Sequence, residues 1–316
     1  MTKVESLLVS LGYTKEDATM IRKKIGLCDD KVCLYIQNNY AWLSTLYSKS
    51  DIVSMGVDFP HIYGISALSL EEKFNGFLSM GYTKEDVVKM TKNNPTVYGY
   101  NVDTMKKKIE FFCNLGYTLD DVVKMTKLQP FILCLSFDCV ENKLKDIMGL
   151  GYTLEDTLSM TKRLPSLYSH NLANLSKKID DLINLGYTKE NVMEMTRVFP
   201  AIYSYLIDSI SSKFNYLVSL GYSQEEVIKI TIGLPNIYGL SLENIGSKIK
   251  FYDTLGMHEL PLVDPKRLMQ SVELSYARYN FYLANNIEIT MSNYRKLFIN
   301  QMQFKKIYKM SNLELT

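Results

Sequence analysis

Apolar residues recur along the chain in short runs at helical spacing, and the runs are interrupted at fixed distances. One run holds Val87, Val88 and Met90; the next holds Ile109, Phe112 and Leu115, three apart, with Pro95 between the runs and Gly116 after the second. The first run follows Thr83, an N-cap residue, with Asp86 three positions on, the spacing of a capping box. This predicts a helix A of about ten residues. It ends before the proline, because the residue preceding a proline is steered out of the α region. An apolar Val-Tyr turn follows, and Asn101 then opens a helix B. That helix stops where Gly116 takes the left-handed C′ conformation, with Tyr117 set for the accompanying apolar contact.

The same text returns every 35 residues. Gly-Tyr stands at Gly81, Gly116, Gly151, Gly186 and Gly221, and Gly256 with Met257 continues the series. Pro60, Pro95, Pro130, Pro165, Pro200 and Pro235 keep the same step. The N-caps repeat as Thr118, Thr153, Thr188 and Ser223 for helix A, and as Ser66, Ser136, Asn171 and Ser241 for helix B, where Leu206 is the exception. Leu43 to Met55 aligns as a degenerate copy with Leu46 in place of the glycine, and Leu8 to Met20 opens a still earlier copy one residue short. Seven units fit between Gly12 and Gly256, the first two degenerate. Neither helix buries its apolar face alone, so the expected fold is an all-α solenoid of stacked repeats over residues 1–258. Trp42, aligned with Phe77 and Phe112, is expected in the core. After Gly256 the repeat text stops. Residues 259–316 read as a basic, aromatic-rich helical cap whose long helix begins near Lys266, started by Asp264-Pro265.

Composition adds exclusions. With 47% hydrophobic and 22% charged residues in 316, the chain is of the folded globular class, and 36 basic against 34 acidic side chains leave a net charge of +2. Any basic surface is therefore local. No stretch approaches the roughly 18 to 20 apolar residues of a membrane span. The first residues run straight into a repeat, so no signal or transit peptide is expected, and the location expected is the cytoplasm, or an organelle matrix for a processed form. Five cysteines without a CxxC pair argue against a disulfide framework and a zinc site. His61, His170 and His258 fall in unrelated columns, no cysteine is placed beside one, and the glycines are too far apart for a phosphate loop. No catalysis, cofactor, metal or small-molecule substrate is expected.

The chemistry lies in columns. Lys73, Lys108, Lys143, Lys178, Lys213 and Lys248 recur eight residues before each glycine, and Lys92, Lys127, Lys162 and Arg197 recur near the end of helix A. Stacked helices about 10 Å apart turn a column into a ladder able to follow a nucleic-acid backbone. The alternative is a solvated face paired with the acidic column Glu85, Asp120, Glu155, Glu190 and Glu225. Thr91, Thr126, Thr161, Thr196 and Thr231 form a further column, and Tyr63, Tyr98, Tyr168, Tyr203 and Tyr238 another, interrupted by Leu133. These tyrosines are expected to pack the seams between repeats with the hydroxyl at the edge. From Pro265 to Thr316, eight basic residues (Lys266, Arg267, Arg278, Arg295, Lys296, Lys305, Lys306, Lys309) stand against Glu273, Glu288 and Glu314, a local net of +5. Among aromatics, they suit nucleic acid or an acidic partner.

The recurring LGYTxEDVxxMTxxxP, followed by xxYxxS and a second helix ending in LG, resembles the mitochondrial transcription termination factor (mTERF) family. Pentatricopeptide repeats share a 35-residue period but lack a proline between their helices. The resemblance implies a curved array of helix pairs, each with a short third turn, and a positively charged groove for double-stranded DNA or structured RNA. On this reading the partner is a nucleic acid, held by the two lysine columns with Arg278, Arg295, Lys296, Lys305 and Lys306 as a second contact. The competing reading is a scaffold that holds a protein or peptide in its groove.

Overall fold

The computed structural model describes residues 1–26 and 28–308, and among them every regular element is helical. The 35-residue text becomes helix A, a five-residue 3-10 turn and helix B. After an opening helix, Lys3–Leu11, the helices A are Lys15–Lys24, Lys49–Asp58, Lys84–Asn93, Leu119–Leu128, Leu154–Arg163, Lys189–Val198 and Gln224–Gly233 (repeats 1 to 7). The turns of repeats 2 to 7 are Pro60–Gly64, Pro95–Gly99, Pro130–Cys134, Pro165–Ser169, Pro200–Ser204 and Pro235–Gly239. The helices B are Asp29–Leu43, Ala67–Ser79, Val102–Asn114, Phe137–Gly149, Leu172–Asn184, Ile207–Ser219 and Leu242–Thr254. The chain forms two compact lobes, Met1–His170 and Asn171–Thr316.

The caps fold as the sequence dictates. Thr83, Thr118, Thr153, Thr188 and Ser223 each accept on the side chain from the backbone N–H three residues on and donate their own backbone N–H to that residue's side-chain oxygen, a complete capping box. Gly81, Gly116, Gly151, Gly186 and Gly221 end helix B with φ between 95° and 116°, a conformation open to glycine. In repeat 1, helix B is one residue out of step. Leu43, fully buried, takes the position of Phe77, while Trp42 is half-buried against the edges of Phe74 and Tyr98.

The repeat also continues past Gly256, in contrast to the cap expected there. Pro265 opens a 3-10 turn, Pro265–Met269, and not a long helix; the helix that follows, Val272–Ala284, is capped by Ser271 and has the thirteen residues of a helix B. Asn286, at φ 55°, stands where the other repeats have glycine. What has shrunk in this repeat 8 is helix A, reduced to Leu260–Val263, because Pro265 comes nine residues after Gly256 where Pro95 comes fourteen after Gly81. In repeat 9 helix A is missing altogether. A turn without proline, Tyr294–Phe298, leads directly to Gln301–Tyr308 in the place of helix B.

The seams between repeats are polar at their centre. The tyrosine of each Gly-Tyr is buried, and at Tyr117 and Tyr187 its hydroxyl passes the helix A that it precedes to reach the threonine of the next helix A, 44 residues on, and the tyrosine of the turn after that threonine, while Tyr222 donates to His258 O. Tyr117 Oη lies 2.6 Å from Thr161 Oγ1 and 2.6 Å from Tyr168 Oη. Tyr47 meets Thr91 and Tyr98 in the same way, and Tyr187 meets Thr231 and Tyr238. Each threonine spends its one proton on the carbonyl four residues back, as Thr161 does on Thr157 O at 2.7 Å. Its oxygen must then accept from the Gly-Tyr hydroxyl, which in turn accepts from the turn tyrosine. The seam is a directed chain of three hydroxyls. At Leu133 the last link is absent, leaving the pair Tyr82 and Thr126. In repeat 2, Gly56 replaces the threonine, and Tyr13 donates straight to Ile52 O. A Cβ at Gly56 would lie 2.1 Å from that hydroxyl, so the glycine makes room for the shortened chain.

Burial raises the Tyr82 and Tyr187 phenols to about 12 from an ordinary value of 10. The neutral phenol is the form the fold holds. Stability is therefore expected to be complete below pH 10 and to fall as pH rises from 10 to 12, read as the melting temperature by circular dichroism. Tyr117→Phe leaves two buried hydroxyls without their shared partner, and is expected to cost about 1–3 kcal/mol. Tyr82→Phe orphans one and costs less; equal urea midpoints for the two variants would contradict the chain as drawn.

Candidate nucleic-acid interface

The lysine column on helix B is directed at the next repeat's turn. A 3-10 turn of five residues leaves its last carbonyls without backbone donors. The ammonium of the preceding helix B supplies one. In the first lobe Lys73 donates to Tyr98 O, Lys108 to Leu135 O, and Lys143 to His170 O at 2.7 Å. In the second lobe Lys178 donates to Tyr205 O and Lys213 to Tyr238 O at 2.6 Å. Burial lowers the pKa of Lys73, Lys108, Lys178 and Lys213. Lys248 departs from the pattern: its ammonium bonds Asn244 Oδ1 within its own helix, and Tyr252 Oη donates to the turn of repeat 8 at Arg267 O, 2.9 Å.

The column has members at both ends that its 35-residue step does not show. Asn39 donates from Nδ2 to Ile62 O and Ile65 O, both at 2.9 Å, once the one-residue slip of repeat 1 is counted. Arg278, assigned above to a second contact with nucleic acid, donates to Leu297 O in the turn of repeat 9 at 2.8 Å and lies over the Phe304 ring. Lys108 and Lys248 at 5% exposure and Arg278 at 3% lie inside the fold, where a phosphate group does not reach them.

The helix A column is engaged in the opposite direction. Lys92 pairs with Asp51 at 2.7 Å, Lys127 with Asp86 at 2.5 Å and Lys162 with Asp121 at 3.3 Å, each reaching back one repeat. Their partners are the capping-box aspartates. The acidic column expected to pair with lysines sits one residue earlier, and its Asp120 instead bonds Lys124 in its own helix. The Lys92 and Lys127 ammonium groups hold Asp51 and Asp86 below the usual carboxylate range. Arg197, the column's member in the second lobe, is also engaged. The seam tyrosines sit with their hydroxyls buried rather than at an edge, which leaves no ring face for stacking on a base.

The exposed cations gather elsewhere. Arg295, Lys296 and Lys306 are exposed, and Lys305 is half-buried and engaged. Lys266, in the turn of repeat 8, is exposed as well. Lys309 and Glu314 lie outside the described residues. Among those residues no three His, Cys, Asp or Glu side chains are grouped to hold a metal, and no helix is long and apolar enough to cross a membrane.

The lysine column therefore acts on stability. Lys143→Met keeps the apolar stem and removes the donor to His170 O, an expected loss of about 1–3 kcal/mol. Lys124→Met, at an exposed pair within one helix, is expected to leave the urea midpoint unchanged. A null result for Lys143→Met would remove the column from the account of stability.

No curated protein matches the chain. A sequence model of the mTERF family matches residues 31–125 and 113–244, which together span more than half of the chain and cover the repeats built on the Gly-Tyr and proline columns. With the helix A, 3-10 turn and helix B arrangement described above, the chain belongs to the mTERF family.

Proposed function

We propose that the protein binds a nucleic acid, double-stranded DNA or structured RNA, without catalysing a reaction, as a regulator of transcription or RNA metabolism. The observation that carries this reading is membership of the mTERF family, a non-enzymatic helical-repeat family whose members suggest nucleic-acid binding. The charge distribution supports it: residues 265–316 carry a net of +5 in a chain whose total is +2. In this reading the phosphate contacts fall on cations that are not consumed inside the repeats, with the partly exposed Lys92, Lys127 and Lys162 adding a weaker field.

A scaffold for a protein partner is the second reading. It is favoured by the pairing of those three lysines with Asp51, Asp86 and Asp121, which cancels their charge.

Fluorescence anisotropy of labelled duplex DNA, single-stranded DNA and a structured RNA, each titrated at several salt concentrations, separates the two. Nucleic-acid binding predicts a logarithm of affinity that falls linearly with the logarithm of salt for at least one probe. Absence of binding to all three at low salt, with the helical circular dichroism spectrum intact, would overturn the reading and favour the scaffold.

A further inference from the structure

The second residue after the turn proline is apolar and fully buried in six repeats: Ile62, Val97, Ile132, Leu167, Ile202 and Ile237. In repeats 8 and 9 the same position holds Arg267 and Lys296. The change coincides with the shrinkage of helix A from ten residues to four and then to none. Where helix A is lost, the turn surface is open to solvent and carries charge.

The position before it changes too. It is His61, Thr96, Phe131, Ser166, Ala201 and Asn236 in the earlier turns, and Lys266 and Arg295 in the last two. The two turns lie against each other. Tyr294 Oη donates to Asp264 Oδ2 at 3.2 Å, and the Arg267 guanidinium, paired with Asp264 at 2.8 Å, lies 5.1 Å from the centre of the Phe298 ring. Asp264 is thereby occupied by Arg267 and Tyr294. Lys266, Arg295 and Lys296 remain exposed on adjoining turns, and Lys306 is exposed on the helix that follows.

We propose that these two bare turns form the phosphate-gripping surface of the protein, with Lys266, Arg295 and Lys296 as its contacts to a nucleic-acid backbone. The inference rests on the nucleic-acid reading above and assigns it a place. A phosphodiester backbone fits this surface better than an acidic peptide does. Peptide recognition needs pockets for side-chain anchors; of the apolar residues of these turns Leu268, Leu297 and Tyr294 are buried, Phe298 is half-buried against Arg267, and Met269 is exposed with no pocket beside it among those described. Apart from Met269, what is left outward is a set of point and fork donors, the chemistry of backbone contact without base readout.

The test is the triple variant Lys266→Gln, Arg295→Gln, Lys296→Gln. Its control is Lys15→Gln, Lys23→Gln, Lys24→Gln, which removes the same charge from exposed positions near the other end of the chain. Both are titrated with duplex DNA, single-stranded DNA and hairpin RNA over a range of salt, with polyglutamate as competitor, after melting curves verify the fold. Lys296→Gln alone serves if the triple variant melts early. The expected result is a salt slope reduced by about 2–3 for the triple variant and about 1 for the single one, with the control unchanged. The three probes then distinguish DNA from RNA. An unchanged slope in the triple variant while the wild type binds overturns this surface and leaves the nucleic-acid reading standing. Equal losses in triple variant and control, or displacement of the probe by polyglutamate at equal charge concentration, overturn it as well. Failure of the wild type to bind any probe overturns both.

Discussion

A five-residue 3-10 turn cannot satisfy its own terminal carbonyls, and each such turn lies between two helices that both need it held in place. The donor comes from the preceding repeat. Lys73 and Lys213 place an ammonium on a carbonyl of the turn, Lys108, Lys143 and Lys178 on that of the residue closing it, Asn39 reaches both with an amide, and Arg278 reaches the turn with a guanidinium. Three chemically different donors serve one geometric need. That need, more than the identity of the lysine, is what the column preserves. With the turn held, the turn tyrosine faces the hydroxyl of the Gly-Tyr that precedes the previous helix A, as Tyr168 faces Tyr117, and the threonine of its own helix A completes the chain to a helical carbonyl.

Caps and turns were legible in the sequence because their partners are three to five residues away. Thr83 and Asp86, or Gly116 and Tyr117, announce their contacts by local spacing. The lysine columns were legible as columns, but the acceptors of the helix B column were not, since a backbone carbonyl 25 or 27 residues on has no side-chain signature. The helix A column was misdirected by one residue, because Glu85 and Asp86 both offer a carboxylate and only the capping-box member points to the next repeat. Asn39 was hidden by the slip in repeat 1. Arg278 was hidden by the five residues missing between Gly256 and Pro265. Counting thirteen residues from the proline, rather than 35 from the previous lysine, would have found it.

The two lysine columns and the exposed cations of the last turns illustrate how position decides the use of a charge. Lys108 is desolvated and spent on a carbonyl of its own chain, so it cannot serve a ligand without opening the seam. Lys127 shares its charge with an aspartate that is already shaping a helix start. Lys266, Arg295 and Lys296 stand on turns that have lost their covering helix and keep their charge for solvent or a partner.

The reach of the contacts bears on how such a chain changes length over evolutionary time. Lys73 looks forward to the next turn, Lys92 back to the previous helix start, and Tyr117 past the helix A it precedes to the threonine of the next one. With each Gly-Tyr counted in the repeat whose helix A it precedes, these bonds join neighbouring repeats. Duplication or excision of a block of 35 residues among the regular repeats therefore leaves the lysine, aspartate and seam contacts with equivalent partners and requires no new kind of interface. A change of any other length shifts one seam out of register and has to be absorbed locally, as the loss of five residues between Gly256 and Pro265 is by a shortened helix A. Genes of this construction are free to gain or lose whole repeats by recombination between their own copies.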